Sequence, residues 1–252
     1  MISNIFGALI YNPLYNALIF LVDVIPGGNI GLAVIGLTVL VKLILFPLSR
    51  KATETNMKMK EIQPLLKAVQ EKYKDNREVQ AMEMFKLYRE KKLNPFSSIV
   101  LLLIQIPIIL GLYWVFLRAG WPSIHTDILY SFIKEPEVVN TVFLGAIDIL
   151  ERSVFLALLV GVTQFYQIKL AMPTIEPTVS KNPGFKEDLA KSMQFQMRYI
   201  LPVFITVIAY TISSAISLYW ITSNLFTIGQ EIVIRRKNKK TEPEVEIIKN
   251  AS

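Results

Sequence analysis

The sequence predicts an all-α polytopic membrane protein, and three observations carry that prediction. Hydrophobic residues make up 52% of the 252 residues, charged residues 19%, and mean hydropathy is +0.43. The charge is unevenly placed: long uncharged runs alternate with strongly basic ones, as in a chain that crosses a bilayer repeatedly rather than folding around one soluble core. The uncharged runs also approach the ~20 residues that a helix needs to cover roughly 30 Å of hydrocarbon.

The elements follow in order. In the first 28 residues, Asn12, Pro13, Asn16 and Asp23 interrupt an otherwise apolar stretch. Asn12 followed by Pro13 reads as a helix start. The helix left, residues 14–24, would be about 16 Å long and too short to cross. An interfacial helix on the outer surface is therefore expected in preference to a sixth span. Span one is 29–48. Span two is SSIVLLLIQIPIILGLYWVFL, 97–117, and carries no charge. Span three is SVFLALLVGVTQFYQIKL, 153–170, with Arg152 just before it and Lys169 in its last turn.

The last apolar run, 199–230, holds thirty-two residues without a charge. A single helix of that length would measure about 48 Å, too long for one ordinary crossing. Arg198 stands at one end and Arg235 and Arg236 at the other. With both ends on one side, the run must be a helical hairpin. Ser213 and Ser214 are the expected turn, between spans 195–212 and 215–230, both short enough to imply tilt or a thinned bilayer.

The connections set the topology. Residues 49–95 hold twelve Lys or Arg against seven acids, 174–192 hold three Lys, and the chain from Arg235 onward holds six Lys or Arg. Residues 1–28 hold none, and 118–151 hold two against five acids. The positive-inside rule then gives five spans, with the N-terminus outside and the C-terminus cytoplasmic. The expected organisation is an outer-face segment at 1–28, a five-helix membrane core from 29–48 and 97–230, a cytoplasmic helical hairpin at 49–96, and a basic cytoplasmic tail at 231–252. In the hairpin, apolar residues at helical spacing lie among mixed charges, and KDNRE, with Asp75 and Asn76, marks the turn. Pro64 starts or kinks a helix. Leu65, Val69, Tyr73, Met82 and Phe85 are the expected packing set. A methionine-bearing partner surface of Met57, Met59, Met82 and Met84 is the alternative.

Several function classes find no support. There is no cysteine, so disulfides, thiolate metal sites and cysteine nucleophiles are absent. His125 is the single histidine and reads as a loop residue rather than a metal ligand. No GxxxxGK[ST] or HExxH run occurs, and no paired carboxylates suggest a membrane enzyme. The five expected spans hold no Asp or Glu, against the acid and histidine relays of proton-coupled carriers. Residues 1–25 carry no Lys or Arg, so no cleavable signal peptide is expected. No cofactor or metal is expected.

One charge does not fit an apolar span. Lys42 lies about four residues past the middle of span one, roughly 6 Å toward the cytoplasmic end. Two readings are open: it snorkels to the headgroups, or it faces a water-filled cavity. Other polar residues fall inside spans: Gln105 in span two, Gln164 and Gln167 in span three, Ser217 and Asn224 in span five. Each alone could be hydrogen-bonding glue between helices; with Lys42 and Thr38, one turn before it, they would solvate a shared cavity. Trp220 lies too deep in span five to belong to an interfacial aromatic belt.

Set in order, the motifs VKLILFPL, MKEIQPLLKAVQEKY, LYREKKLNPFSSIVLLLIQIPIILGLYW, GVTQFYQIKLA, LPVFITVIA and LYWITSNLFTIGQEIVIRR resemble the YidC-type membrane protein insertases, over about 29–237. The resemblance implies five core helices around a hydrophilic groove that is open to the cytoplasm and to lipid and sealed on the outside, with an outer interfacial helix before the first span. It implies insertion and chaperoning of membrane proteins, alone or with the Sec translocon, in a bacterial inner membrane. The implied partners are nascent membrane proteins, the ribosome, the Sec translocon and anionic lipids, and the chain is expected to be a monomer. It also makes Thr38 a groove position and Trp220 a substrate-contacting one, with Tyr219 beside it. Lys42 stands where the family typically has Arg, which puts in question any role needing a bidentate guanidinium. The extra first span and large external domain of many Gram-negative members are not expected here. A non-catalytic assembly scaffold is the competing reading. The basic cluster Arg235, Arg236, Lys237, Lys239 and Lys240 is expected to meet ribosomal phosphates or anionic lipid.

Overall fold

The structure is a computed structural model describing residues 5–94, 97–118, 121, 123–171, 192 and 195–249, the side chains of 97–102, 118 and 238–249 excepted. Contacts divide the chain into two units, Met1–Ile44 with Gln105–Gly229 and Leu45–Ile104 with Gln230–Ser252.

The first unit holds most of the apolar helix. Its first helix, α1 (Asn12–Val24), continues a π-helical turn, Gly7–Tyr11. Pro13 stands in the first turn of α1, where the sequence placed a helix start, but the helical backbone already runs before it through the π turn. In a regular α-helix its ring would meet the carbonyl four residues back. The wider π turn, in which the Asn12 amide bonds the Gly7 carbonyl, shifts the register just ahead of the ring. The same device recurs before Pro202, where the π turn Gln196–Ile200 ends with the Leu201 amide on the Gln196 carbonyl and passes into α7 (Leu201–Thr211). One consequence is a correction: Gly7–Val24 is 18 helical residues, long and apolar enough to cross a membrane. Length no longer separates an interfacial helix from a span.

The long helix α2 (Ile30–Glu61) runs well past its expected end near Leu48. The other long elements are α5 (Ser97–Arg118), which continues through Pro107, α6 (Val154–Ala171) and α8 (Ser214–Lys249). The break between α7 and α8 falls at Ile212 and Ser213, one residue from the expected turn. The α8 N-terminus is closed by the α5–α6 connection: the Ser214 amide and hydroxyl both donate to the Glu151 carbonyl (2.8 and 2.7 Å), and the Ala215 amide donates to the Ile149 carbonyl (2.8 Å), satisfying donors a helix start leaves open. That connection also forms a small antiparallel hairpin, β1 (Val142–Phe143) and β2 (Ile147–Asp148), which the sequence reading did not anticipate.

One core gathers the unit. Tyr15, Leu18, Ile19 and Val22 of α1 are buried with Ile30, Val34 and Leu37 of α2, Leu112 and Val115 of α5, Leu156 of α6, and Leu218 and Tyr219 of α8. The helices are apolar on the outside as well. Leu40, Leu43 and Ile44 of α2, Phe155, Leu158 and Val162 of α6, and Val203, Phe204 and Val207 of α7 are all exposed. A helix apolar all round needs lipid or protein on every side, and these faces suit lipid. Helices α6 and α7 pack through Ala157, Val160 and Ala209, with Gly161 against Thr206; small residues give membrane helices this close approach.

The second unit contains α3 (Gln63–Lys72) and α4 (Arg77–Glu90). Pro64 stands in the first turn of α3, so it starts a helix. Asn76 caps α4 by accepting from the Val79 amide at 3.1 Å, at the turn the sequence marked. The packing set is different from the one expected. The buried residues are Ile62, Leu66 and Leu93, covered by Met59, Met84, Leu87 and Tyr88, whereas Leu65, Met82 and Phe85 are exposed. The buried stripe on α3 lies one helical position from the expected one, at Leu66 rather than Leu65. Leu93 joins from beyond α4 through Lys92, whose φ is +52°.

Candidate functional site

Several polar residues inside the apolar helices meet on α8. A helix turns 100° per residue, so Ser217, Trp220, Asn224 and Thr227 fall on one stripe. Each meets a neighbouring helix. The Ser217 hydroxyl donates to the Ala209 carbonyl of α7 at 3.3 Å. Trp220 packs against Ala157, Val160 and Ala209. The Asn224 amide donates to the Thr163 hydroxyl of α6 at 3.2 Å. Thr227 accepts from the ammonium of Lys42 on α2, also at 3.2 Å.

Lys42 is thus half-buried and bonded across to α8 within the first unit. Thr227 takes one of its three N–H donors. Thr38, one turn earlier and 1% exposed, spends its proton on the Val34 carbonyl at 2.6 Å; this leaves it an acceptor toward its surroundings. On α6, Gln164 donates to Gln167 at 3.0 Å, so those two side chains hold one another. Tyr219 is 1% exposed and lies in the main core rather than on the stripe. Gln105 is half-buried on α5 and takes no part in these bonds. Lys42, Trp220, Asn224 and Ser217 therefore share a seam on α8, while Tyr219 and Gln105 stand apart from it.

Sequence reasoning missed Thr227, Thr163 and Ser223. Thr227 lies three residues after Asn224 and seven after Trp220, a spacing that puts all three on one face. Thr163 directly precedes Gln164. At the other end of α8, Arg235 holds Glu231 through two guanidinium nitrogens at 2.7 and 3.2 Å. This i,i+4 pair was readable from spacing. Arg236 and Lys237 are exposed. Lys239 and Lys240 continue the helix, and their side chains lie outside the described residues.

Chemically, the seam offers a cation and neutral hydrogen-bonding groups within apolar helices. Such groups tolerate membrane depth only when paired or facing water. The fold and this seam define an all-α polytopic membrane protein with a polar face built into its helices. The family described as "60Kd inner membrane protein" matches residues 20–242, and the chain belongs to it. It is 33% identical over 214 residues to the protein named membrane protein insertase YidC of Francisella tularensis subsp. novicida (strain U112), and equally to that of subsp. tularensis (strain SCHU S4). Those alignments take in 85% of this chain and 34% of the relatives, so the chain spans about a third of their length. A solved structure described as an active YidC insertase with its first transmembrane domain resolved matches with a TM-score of 0.56 at 22% identity, over 89% of this chain and 45% of that one. It supports the fold.

Proposed function

We propose that the chain is a membrane protein insertase and chaperone rather than an enzyme, lowering the barrier to moving a client's polar flank across the bilayer. The observation that carries this reading is the half-buried Lys42 cation, bonded to Thr227 on a seam that also presents Trp220 and Asn224, in a chain of this family. A hydrated seam reaching partway into the membrane would shorten the dry path. Lys42 would attract acidic groups transiently, worth on the order of 1–4 kcal/mol at wet, partly screened sites. The apolar outer faces of the helices would let the client's span leave into lipid. Clients would be nascent membrane proteins, and work alongside the Sec translocon or the ribosome belongs to the same reading, with Arg236 and Lys237 exposed for phosphate contact.

The orientation, N-terminus outside and C-terminus cytoplasmic with five spans, rests on the basic residues of 49–95 and 231–252. Contacts of α1 favour an interfacial helix. Tyr15 and Asn16, in the middle of the helical stretch Gly7–Val24, bond His125, Ile128 and Tyr130 of the acidic α5–α6 connection. A helix spanning the bilayer would meet that connection only at one end.

The test is reconstitution of the purified chain in liposomes with two small clients, one with an acidic flank and one with a neutral flank. The chain alone should insert both. Lys42→Arg should keep activity, Lys42→Ala should hurt the acidic client more, and Lys42→Glu should be worst for it. Equal activity of Lys42→Glu and Lys42→Arg on the acidic client would end the groove-charge mechanism. Failure of the wild-type chain to insert either client would favour a scaffold.

A further inference from the structure

We infer that Thr227 is the positioning residue for the Lys42 cation, an inference that rests on the insertase reading above. A lysine carries its charge on a flexible four-carbon stem and tends to stretch toward the nearest water. Something must hold Lys42 against α8 if its charge is to act at the seam. Thr227 is placed to do so. Its hydroxyl proton is committed to the Ser223 carbonyl one turn back, at 2.8 Å. Its oxygen therefore presents lone pairs, and the Lys42 ammonium donates to it at 3.2 Å. A β-branched side chain in a helix has restricted χ1 freedom, and the bond to Ser223 fixes the rotamer further. The acceptor is thus a rigid anchor.

The arrangement also explains why a lysine can serve here. An ammonium is a point donor that one acceptor can orient, whereas a guanidinium presents a planar fork of five donors. Thr227 holds one N–H and leaves two to face a client's carboxylate. The anchor sits three residues from Asn224 and seven from Trp220, so it sets the height of the charge on the stripe those residues share.

The experiment compares Thr227→Val, which keeps the shape and loses the oxygen, with Thr227→Ser, which keeps the oxygen. In the two-client liposome assay, Thr227→Val should lower insertion of the acidic-flank client about threefold, the factor expected for one hydrogen bond of ordinary net strength. The neutral-flank client should lose less, and Thr227→Ser should behave as wild type. Thr227→Val added to Lys42→Ala should cause no further loss. A readout independent of insertion is the rate at which a membrane-permeant reagent methylates Lys42, followed by mass spectrometry. Thr227→Val should speed it about threefold, the same hydrogen-bond factor, and Thr227→Ser should not, with Lys169 as the internal reference. Equal loss for both clients, additivity with Lys42→Ala, or unchanged Lys42 methylation would overturn the assignment. If the wild-type chain inserts neither client, the insertase reading fails, and the methylation rates still decide whether Thr227 anchors Lys42.

Discussion

Two polar excursions from the apolar helices, the connection between α5 and α6 and the helical hairpin between α2 and α5, are built on opposite plans. The connection has little regular structure, yet long-range bonds fix it. The Asn140 amide donates to the Gly28 carbonyl (2.9 Å), and the Asn140 carbonyl accepts from the Ile30 amide (3.0 Å). Asn29 reaches the Val142 carbonyl (2.8 Å), and the Tyr15 hydroxyl accepts from the His125 amide (2.8 Å). Phe143 and Ile149 are buried in the main core. The hairpin is nearly all helix, and its backbone bonds are local. Its buried cluster is Ile62, Leu66 and Leu93. Helical content and fixity are therefore different properties. Local opening is governed by long-range bonds and buried contacts, so the irregular connection should be the stiffer of the two.

The largest test is at the glycine pair that starts α2. Gly28 has φ +59°, and a Cβ there would overlap the Val138 carbonyl; Gly27 has φ +77° and open space around it. Gly27→Ala should cost about 1–2 kcal/mol from the left-handed backbone alone. Gly28→Ala adds displacement of the Val138 backbone and should cost at least about 3 kcal/mol. Thermal unfolding in detergent gives the totals. Hydrogen exchange should show the amides of Ile30 and Asn140 losing protection while α3 and α4 are unchanged. Equal costs for the two glycines would remove the claim that close backbone contact fixes the connection.

Asn16 offers a smaller perturbation of the same region. It is 1% exposed; its amide donates to Asn12 and Ile128 carbonyls at 2.8 and 3.0 Å, and its oxygen accepts from the Tyr130 amide at 2.7 Å. Asn16→Ala leaves the Ile128 and Tyr130 groups without that partner and should cost about 1–3 kcal/mol. Faster exchange at Tyr130 with no change in the hairpin is the expected signature. A change spread over both regions would show that the two are not separately held.

Part of this was legible in the sequence because it is local. Runs of apolar residues gave the long helices, Asp75 and Asn76 gave the turn, and Ser213 lay at the α7–α8 break. What failed was non-local. Asn16 looked like an interruption in an apolar helix, because its partners are backbone groups more than a hundred residues away. Pro13 looked like a start because a π turn ahead of it has no sequence signature. The hairpin stripe was misplaced because Leu65 and Leu66 each continue a plausible helical pattern, and the face buried is the one that meets Leu93 from beyond α4. At the seam, Lys42 was visible as a charge out of place. Thr227 was hidden because a helical threonine is expected to bond its own preceding turn, as it does, and its second partner lies on another helix.

The smallest expected effect is a pH response confined to the hairpin. Tyr88 lines the buried cluster, and its carbonyl accepts from the Leu93 amide at 2.8 Å. Burial raises its phenol above the ordinary 10.0, so the folded hairpin favours the neutral form. The associated stability is fully present below the unfolded-chain value of 10.0 and is lost as pH rises through the folded value. Tyr88 is only partly covered, and solvent screening keeps the effect at or below about 0.5 kcal/mol. Subtracting the phenolate absorbance titration of Tyr88→Phe from that of the native chain should isolate one tyrosine with a midpoint above 10.0. Protease sensitivity of the hairpin should rise over the same range in the native chain, and rise less in Tyr88→Phe. Of the groups that tie the α5–α6 connection, Asn16, Asn29, Asn140 and Gly28 carry no side chain that titrates there, and the Tyr15 hydroxyl, which also holds it, is common to both chains and cancels in their difference. Cleavage in that connection should therefore differ no more between the two chains above pH 10.0 than below it. If Tyr88 titrates at the ordinary value, the hairpin's small core does not shield it. If Tyr88→Phe changes cleavage of the connection as much as cleavage of the hairpin, the contrast between a tied loop and a loosely held helical pair is wrong.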